Sequence, residues 1–180
     1  MKRLCCLLIC LSLLLCACGS DPSAERWAAF AGELSARRDL RFTARLCAEY
    51  PDEALDYTLS YEETAEGCTL RLLEPEALRG LRVSLRPDGT RLSLDELSLD
   101  AAPLDAFGLS PASALPALTA ALRGGHLESH WTEDGLTVVE LTADDALSVQ
   151  VWLDGDFIPQ RAELRSDGRV AVRCELSDWS

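Results

Sequence analysis

From Leu40 onward apolar and polar side chains alternate along most of the chain. A period of two marks half-buried strands, because successive strand residues point to opposite faces. Phe42, Ala44, Leu46 and Ala48 alternate with Thr43, Arg45, Cys47 and Glu49, and Tyr57, Leu59 and Tyr61 alternate with Thr58, Ser60 and Glu62. The pattern continues through Cys68, Leu70 and Leu72, then Leu81, Val83 and Leu85, then Leu92 and Leu94. Asp95-Glu96 shifts its phase, so that Leu97 and Leu99 face inward only if a bulge or turn intervenes. Asp-Gly pairs at 88–89, 134–135, 154–155 and 167–168 supply the positive φ that tight hairpins demand. Between them the second half predicts strands at about 126–132, 136–142, 147–153, 157–165 and 169–177, joined in succession as an antiparallel meander.

Two segments depart from this pattern. Pro22, Glu25 and the helical spacing of Trp27, Phe30, Ala31 and Leu34 predict an amphipathic helix over roughly 23–37, its narrow apolar stripe docked on the sheet. Residues 100–110, with Pro103 and Gly108, read as a loop. Ser110-Pro111 then opens a helix through Leu115, Leu118, Ala121 and Leu122 that Gly124-Gly125 ends, with Pro116 set to kink or divide it.

The first residues form a different pattern. Lys2 and Arg3 precede an apolar run from Leu4 to Leu15, broken by Ser12 alone, which is the layout of a secretory signal. The run is too short to span a bilayer before Gly19, Ser20 and Asp21 arrive. Leu15-Cys16-Ala17-Cys18 resembles the lipobox of bacterial lipoproteins, with Cys16 its loosest position. The resemblance implies cleavage before Cys18 and a diacylglyceryl thioether on that cysteine. Two acyl chains on one residue make a stable anchor. The expected organisation is a signal peptide at 1–17, a lipidated tether at 18–24 and one β domain at 25–180, on the extracytoplasmic face of a cell membrane.

Residues 18–180 carry 15 basic and 30 acidic side chains, a net charge of −15. That sign argues against nucleic acid and against lying flat on an anionic membrane. A chain of this length supports one core, and a monomer is expected. Of eight cysteines only Cys47, Cys68 and Cys174 remain once the signal and the lipid take theirs. An odd number outside the cytoplasm leaves at least one free thiol, and the pairing of the three stays open.

The order of elements and three phrases are similar to the LolA/LolB-like fold of bacterial lipid and lipoprotein carriers, a superfamily that includes the LppX/LprG-type lipoproteins. The phrases are Leu40-Arg41-Phe42-Thr43-Ala44, the run from Cys68 to Pro75, and Val151-Trp152-Leu153-Asp154 leading into Ile158-Pro159-Gln160-Arg161-Ala162-Glu163-Leu164. The resemblance spans about residues 23–179. It implies a mainly β, α+β protein: a strongly curved antiparallel sheet or unclosed barrel, with the N-terminal and mid-chain helices on its concave side and an apolar cavity for acyl chains. The inward faces around Leu46, Leu59, Leu70, Leu72, Val83, Leu85, Leu94, Leu118 and Leu122 are the expected contacts, and residues 100–125 the expected gate. The same residues could line a pocket or pack solid, since close packing is the default of an interior.

The expected function is therefore non-catalytic binding or transfer of a lipid or lipidated protein, with no cofactor. The alternative is a structural or sensory lipoprotein with a solid core and an acidic partner-binding surface. No nucleophile elbow, phosphate loop or zinc helix occurs. His126, Glu128 and His130 share a strand face; Glu128 with either histidine could reach a metal, but the two histidines are too far apart to chelate one, and the polar outer-face reading is preferred. Asp144-Asp145 and Asp154-Gly155-Asp156 lack an EF-hand spacing and read as turn formers, so no metal is expected.

Overall fold

The computed structural model describes residues 22–49, 54–101, 109–144 and 146–180. Cys18, the signal segment and most of the 100–110 loop lie outside the described residues.

Helix α1 (Pro22–Ala36) is followed by strands β1 (Leu40–Glu49), β2 (Ala54–Thr64), β3 (Gly67–Glu74), β4 (Arg82–Arg86), β5 (Gly89–Leu94) and β6 (Leu97–Ala101). Helix α2 (Pro111–Gly124) leads into β7 (His126–Glu133), β8 (Leu136–Thr142), β9 (Leu147–Leu153), β10 (Pro159–Ser166) and β11 (Arg169–Ser177). All eleven strands form one antiparallel sheet in the order β6-β5-β4-β3-β2-β1-β11-β10-β9-β8-β7. The sheet is thus two meanders joined where β1 pairs with β11, as in Leu46 opposite Cys174. Its ends, β6 and β7, are not paired to each other, so the sheet does not close into a barrel.

The alternation predicted from sequence sets the burial. Leu40, Phe42, Ala44, Leu46 and Ala48 of β1 are buried, while Arg41, Arg45 and Glu49 are exposed. Both helices cover the same inner face. The curvature follows from α2 alone: Thr119 lies 3.2 Å from Tyr61 of β2, while Gly125, just past its end, abuts Leu141 of β8. Those residues are at most about 9 Å apart along a helix axis. Strands β2 and β8 are five places apart, about 24 Å across a flat sheet. Only a strongly bent sheet brings both to one helix.

The turns follow the Asp-Gly reading in part. Asp134-Gly135 and Asp167-Gly168 have positive φ at both residues and join β7 to β8 and β10 to β11. The β4–β5 loop instead turns at Pro87-Asp88, and Gly89 begins the next strand. Asp154-Gly155 departs from the expectation: the left-handed residue there is Phe157, with φ 63°. Asp154 organises this turn through its carboxylate, which accepts from the Asp156 and Ile158 amides at 2.9 and 3.0 Å. Phe157 can then insert its ring beside Phe30 of α1, at a centroid distance of 6.5 Å.

Helix α2 begins as expected. Ser110 caps it, Pro111 follows, and the Ser113 hydroxyl oxygen accepts from the Ser110 amide at 2.8 Å. Pro116 does not divide the segment, which is one helix to Gly124. Helix α1 begins at Pro22, inside the segment expected as tether. Among the described residues no helix is long and apolar enough to cross a membrane.

Candidate functional site

Where α2 leans over the ends of β2, β3 and β4, the inner face opens to solvent in a groove of about 350 Å³. Leu85, Pro87, Pro116 and Ala120 supply apolar wall, and Tyr61, Glu63, Cys68, Arg86, Thr119 and Arg123 supply the polar groups. Gly67 shapes one end. It has φ +134°, and a Cβ there would collide with the Leu85 carbonyl oxygen, so the absence of a side chain lets β3 press against the end of β4.

A connected polar group fastens the helix to the strands. Arg123 donates to Glu63 at 2.6 Å and to the Leu34 carbonyl of α1 at 3.2 Å. Tyr61 donates to the other Glu63 oxygen at 3.0 Å. The Thr119 hydroxyl lies 3.2 Å from the Tyr61 oxygen and 3.0 Å from the Pro116 carbonyl, so its proton has two acceptors within reach. Burial, more than any neighbour, pushes the Tyr61 hydroxyl and the Cys68 thiol above their ordinary ranges. Both are therefore neutral near pH 7, and Cys68 is a poor nucleophile.

The residues expected to contact a ligand divide into three groups. Leu46, Leu59, Leu70, Leu72, Val83, Leu118 and Leu122 lie in the buried cluster beneath the helices. Leu85 is half-buried and borders the groove. Leu94, also half-buried, lies outside that cluster, near the sheet edge. Sequence reasoning missed Tyr61, Glu63 and Arg123 as a unit. The available signal was Glu63 itself, a charge in phase with Leu59 and Tyr61 on the apolar face of β2.

The histidine reading is corrected. A β-bulge between Leu127 and Ser129 changes the phase of β7, setting His126 opposite Thr142 and His130 opposite Val139. Thr142 and Val139 are an odd number of residues apart on β8, so the two histidines fall on opposite faces. The acidic turns behave as turn formers. Asp144 accepts from the Ala146 and Leu147 amides, each at 2.8 Å, and Gln160 donates to the second Asp154 oxygen at 2.8 Å. Cys47, Cys68 and Cys174 are all free thiols.

No protein-family model matches the chain, and no curated protein matches it by sequence. Comparison with solved structures finds an uncharacterized conserved protein from Thermus thermophilus, 11% identical, with a TM-score of 0.51 over 88% of this chain and 86% of that one. The open, bent antiparallel sheet with two helices is the architecture that the LolA-like resemblance implied. Its elements among the described residues are an eleven-stranded sheet and, on the inner face, an N-terminal helix and a mid-chain helix. A LolA superfamily protein from Nitrosomonas europaea is 13% identical, with a TM-score of 0.44 over 87% of this chain and 91% of that one. The Mycobacterium tuberculosis lipoprotein LppX is 13% identical, with a TM-score of 0.45 over 89% and 96%. At these identities the likeness is one of fold alone.

Proposed function

We propose that this LolA-like chain is an extracytoplasmic lipoprotein, anchored to a membrane through Cys18, that binds the acyl chain of a lipid or lipidated protein between its sheet and α2. The observation that carries the reading is the groove beside α2, where the apolar inner face of an unclosed sheet meets solvent. The ligand is held by partition, at about 25 cal/mol per Å² of apolar surface removed from water. Its tail lies along Leu85, Pro116 and Ala120 and reaches toward Leu70, Leu72, Val83, Leu118 and Leu122 as α2 lifts; Leu46 and Leu59 line the further interior, and Leu94 borders it near the sheet edge. The activity is binding and transfer, with no bond made or broken.

A second reading rests on the burial of Leu46, Leu59, Leu70, Leu118 and Leu122, each exposed by 1% or less. In it the interior is solid, and the acidic exterior engages a basic partner. Native mass spectrometry of chain made without its lipid, through Cys18→Ser, separates the two. Acyl binding gives a co-purifying mass that organic solvent strips and palmitate restores. A chain that purifies empty, takes up no palmitate and captures one membrane protein in a salt-sensitive manner would sink the first reading and favour the second.

A further inference from the structure

The rim of the groove carries two arginines in different states. Arg123 is half-buried and engaged by Glu63 and by the Leu34 carbonyl. Arg86, at the end of β4, is exposed, and its guanidinium has no hydrogen-bond or ion-pair partner among the described residues. It borders the acyl groove beside Leu85 and Pro87, and also an adjoining polar groove on the outer face with Asp88, Arg91 and Asp100. Within that second groove Arg91 is held by Asp100 at 3.0 Å, and Asp88 makes no pair with Arg86. A guanidinium is thus left open where apolar wall ends and solvent begins, on a chain whose net charge is −13.

Resting on the acyl-binding reading, we propose that Arg86 receives the headgroup of a single-chain anionic amphiphile, a fatty carboxylate, whose tail lies in the groove. Two observations select this occupant. The volume, about 350 Å³, is at the small end of ligand sites and suits one chain rather than several. The free cation at the rim suits a carboxylate, which a guanidinium can grip through two parallel N–H···O bonds. Arg86 stands where the apolar wall of the groove ends, so a headgroup held there leaves the tail to lie along Leu85, Pro116 and Ala120. Gly67 contributes indirectly, by letting the Leu85-Arg86 backbone approach β3 and fixing where the rim lies.

Photo-crosslinking of the full chain in its membrane tests this with two probes of equal alkyl length and the same diazirine. One is a palmitate; the other ends in trimethylammonium. In the unsubstituted chain the palmitate probe is expected to label peptides containing Leu85 and Ala120. Arg86→Gln should lower that labelling by roughly fivefold, the effect of one partly exposed charge pair, and leave the cationic probe unchanged or stronger. Arg86→Lys should retain most of the labelling. Groove labelling by both probes that R86Q leaves unaltered would overturn the headgroup assignment and leave acyl binding standing. Labelling of neither groove peptide by either probe would overturn both.

Discussion

Cys174 concentrates the chemistry of a buried inner-face residue. Its thiol donates to the Ala162 carbonyl at 3.6 Å, and burial pushes its pKa up to about 12 from an ordinary 9.0, against the opposing effect of that hydrogen bond. The native state therefore keeps the proton after the unfolded chain has released it. The stabilisation is fully present below pH 9 and is lost as pH rises toward 12, at up to about 1.4 kcal/mol per pH unit. Cys68, whose ionisation is also shifted upward from 9.0, steepens the same loss from its start, and Tyr61, shifted upward from 10.0, adds to it further into the alkaline range. Replacing Cys174 with Val should flatten the fall in Tm between pH 8.5 and 10.5 relative to the unsubstituted chain, as read by thermal unfolding; parallel curves would refute the assignment. The inward direction of Cys174 follows from the period of two, since it is in phase with Val172 and Leu176 and alternates with Arg173 and Glu175. Its lack of a disulfide does not, because pairing is a matter of distance between strands.

At the scale of elements, alternation located the strands of the second meander to within about two residues, since each strand presents one dry face and one wet face. What alternation cannot report is a change of phase within a strand or the loss of a neighbour. The bulge at Glu128 turned His130 to the other face. Leu97 and Leu99 lie on the same face as Leu94 and Leu92, across the turn at Asp95-Glu96, yet remain 76% and 65% exposed, because β6 is an edge strand. The polar clasp was invisible for a similar reason: Glu63 and Arg123 are 60 residues apart, and only the fold brings them together. Arg123 joins three elements, β2 through Glu63, α1 through Leu34, and α2 on which it stands. With each side chain of the pair only 22% exposed, removal of one partner strands the other. Arg123→Ala should cost about 2–3 kcal/mol in denaturant unfolding. It should also speed exchange of a bound acyl probe, because the Tyr61–Thr119 hydrogen bond and apolar contact are then what hold α2 on β2. Destabilisation with unchanged exchange would make the clasp a structural tie rather than part of the gate.

The molecule as a whole is closed by its centre and not by its edges. Strands β1–β6 and β7–β11 are each sequential meanders, and the pairing of β1 with β11 joins them between residues far apart in sequence, as in Thr43 opposite Ser177. An independent link crosses the same seam on the inner face, where α2 touches Tyr61 of one meander and packs beside β8 and β10 of the other. Two links of different kind, one of backbone hydrogen bonds and one of packed side chains, should make the halves unfold together. Leu46 stands on the seam, fully buried, opposite Tyr57 of β2 on one side and Cys174 of β11 on the other. Leu46→Ala should therefore destabilise by roughly 2–5 kcal/mol. Amide exchange should accelerate by a similar factor in β3 and in β9, although these strands lie on opposite sides of the substitution. If β3 loses protection while β9 keeps it, the meanders are separate cooperative units. In that event lifting α2 admits a ligand to one half without loosening the other, and the seam, rather than the helix, sets the limit of the opening.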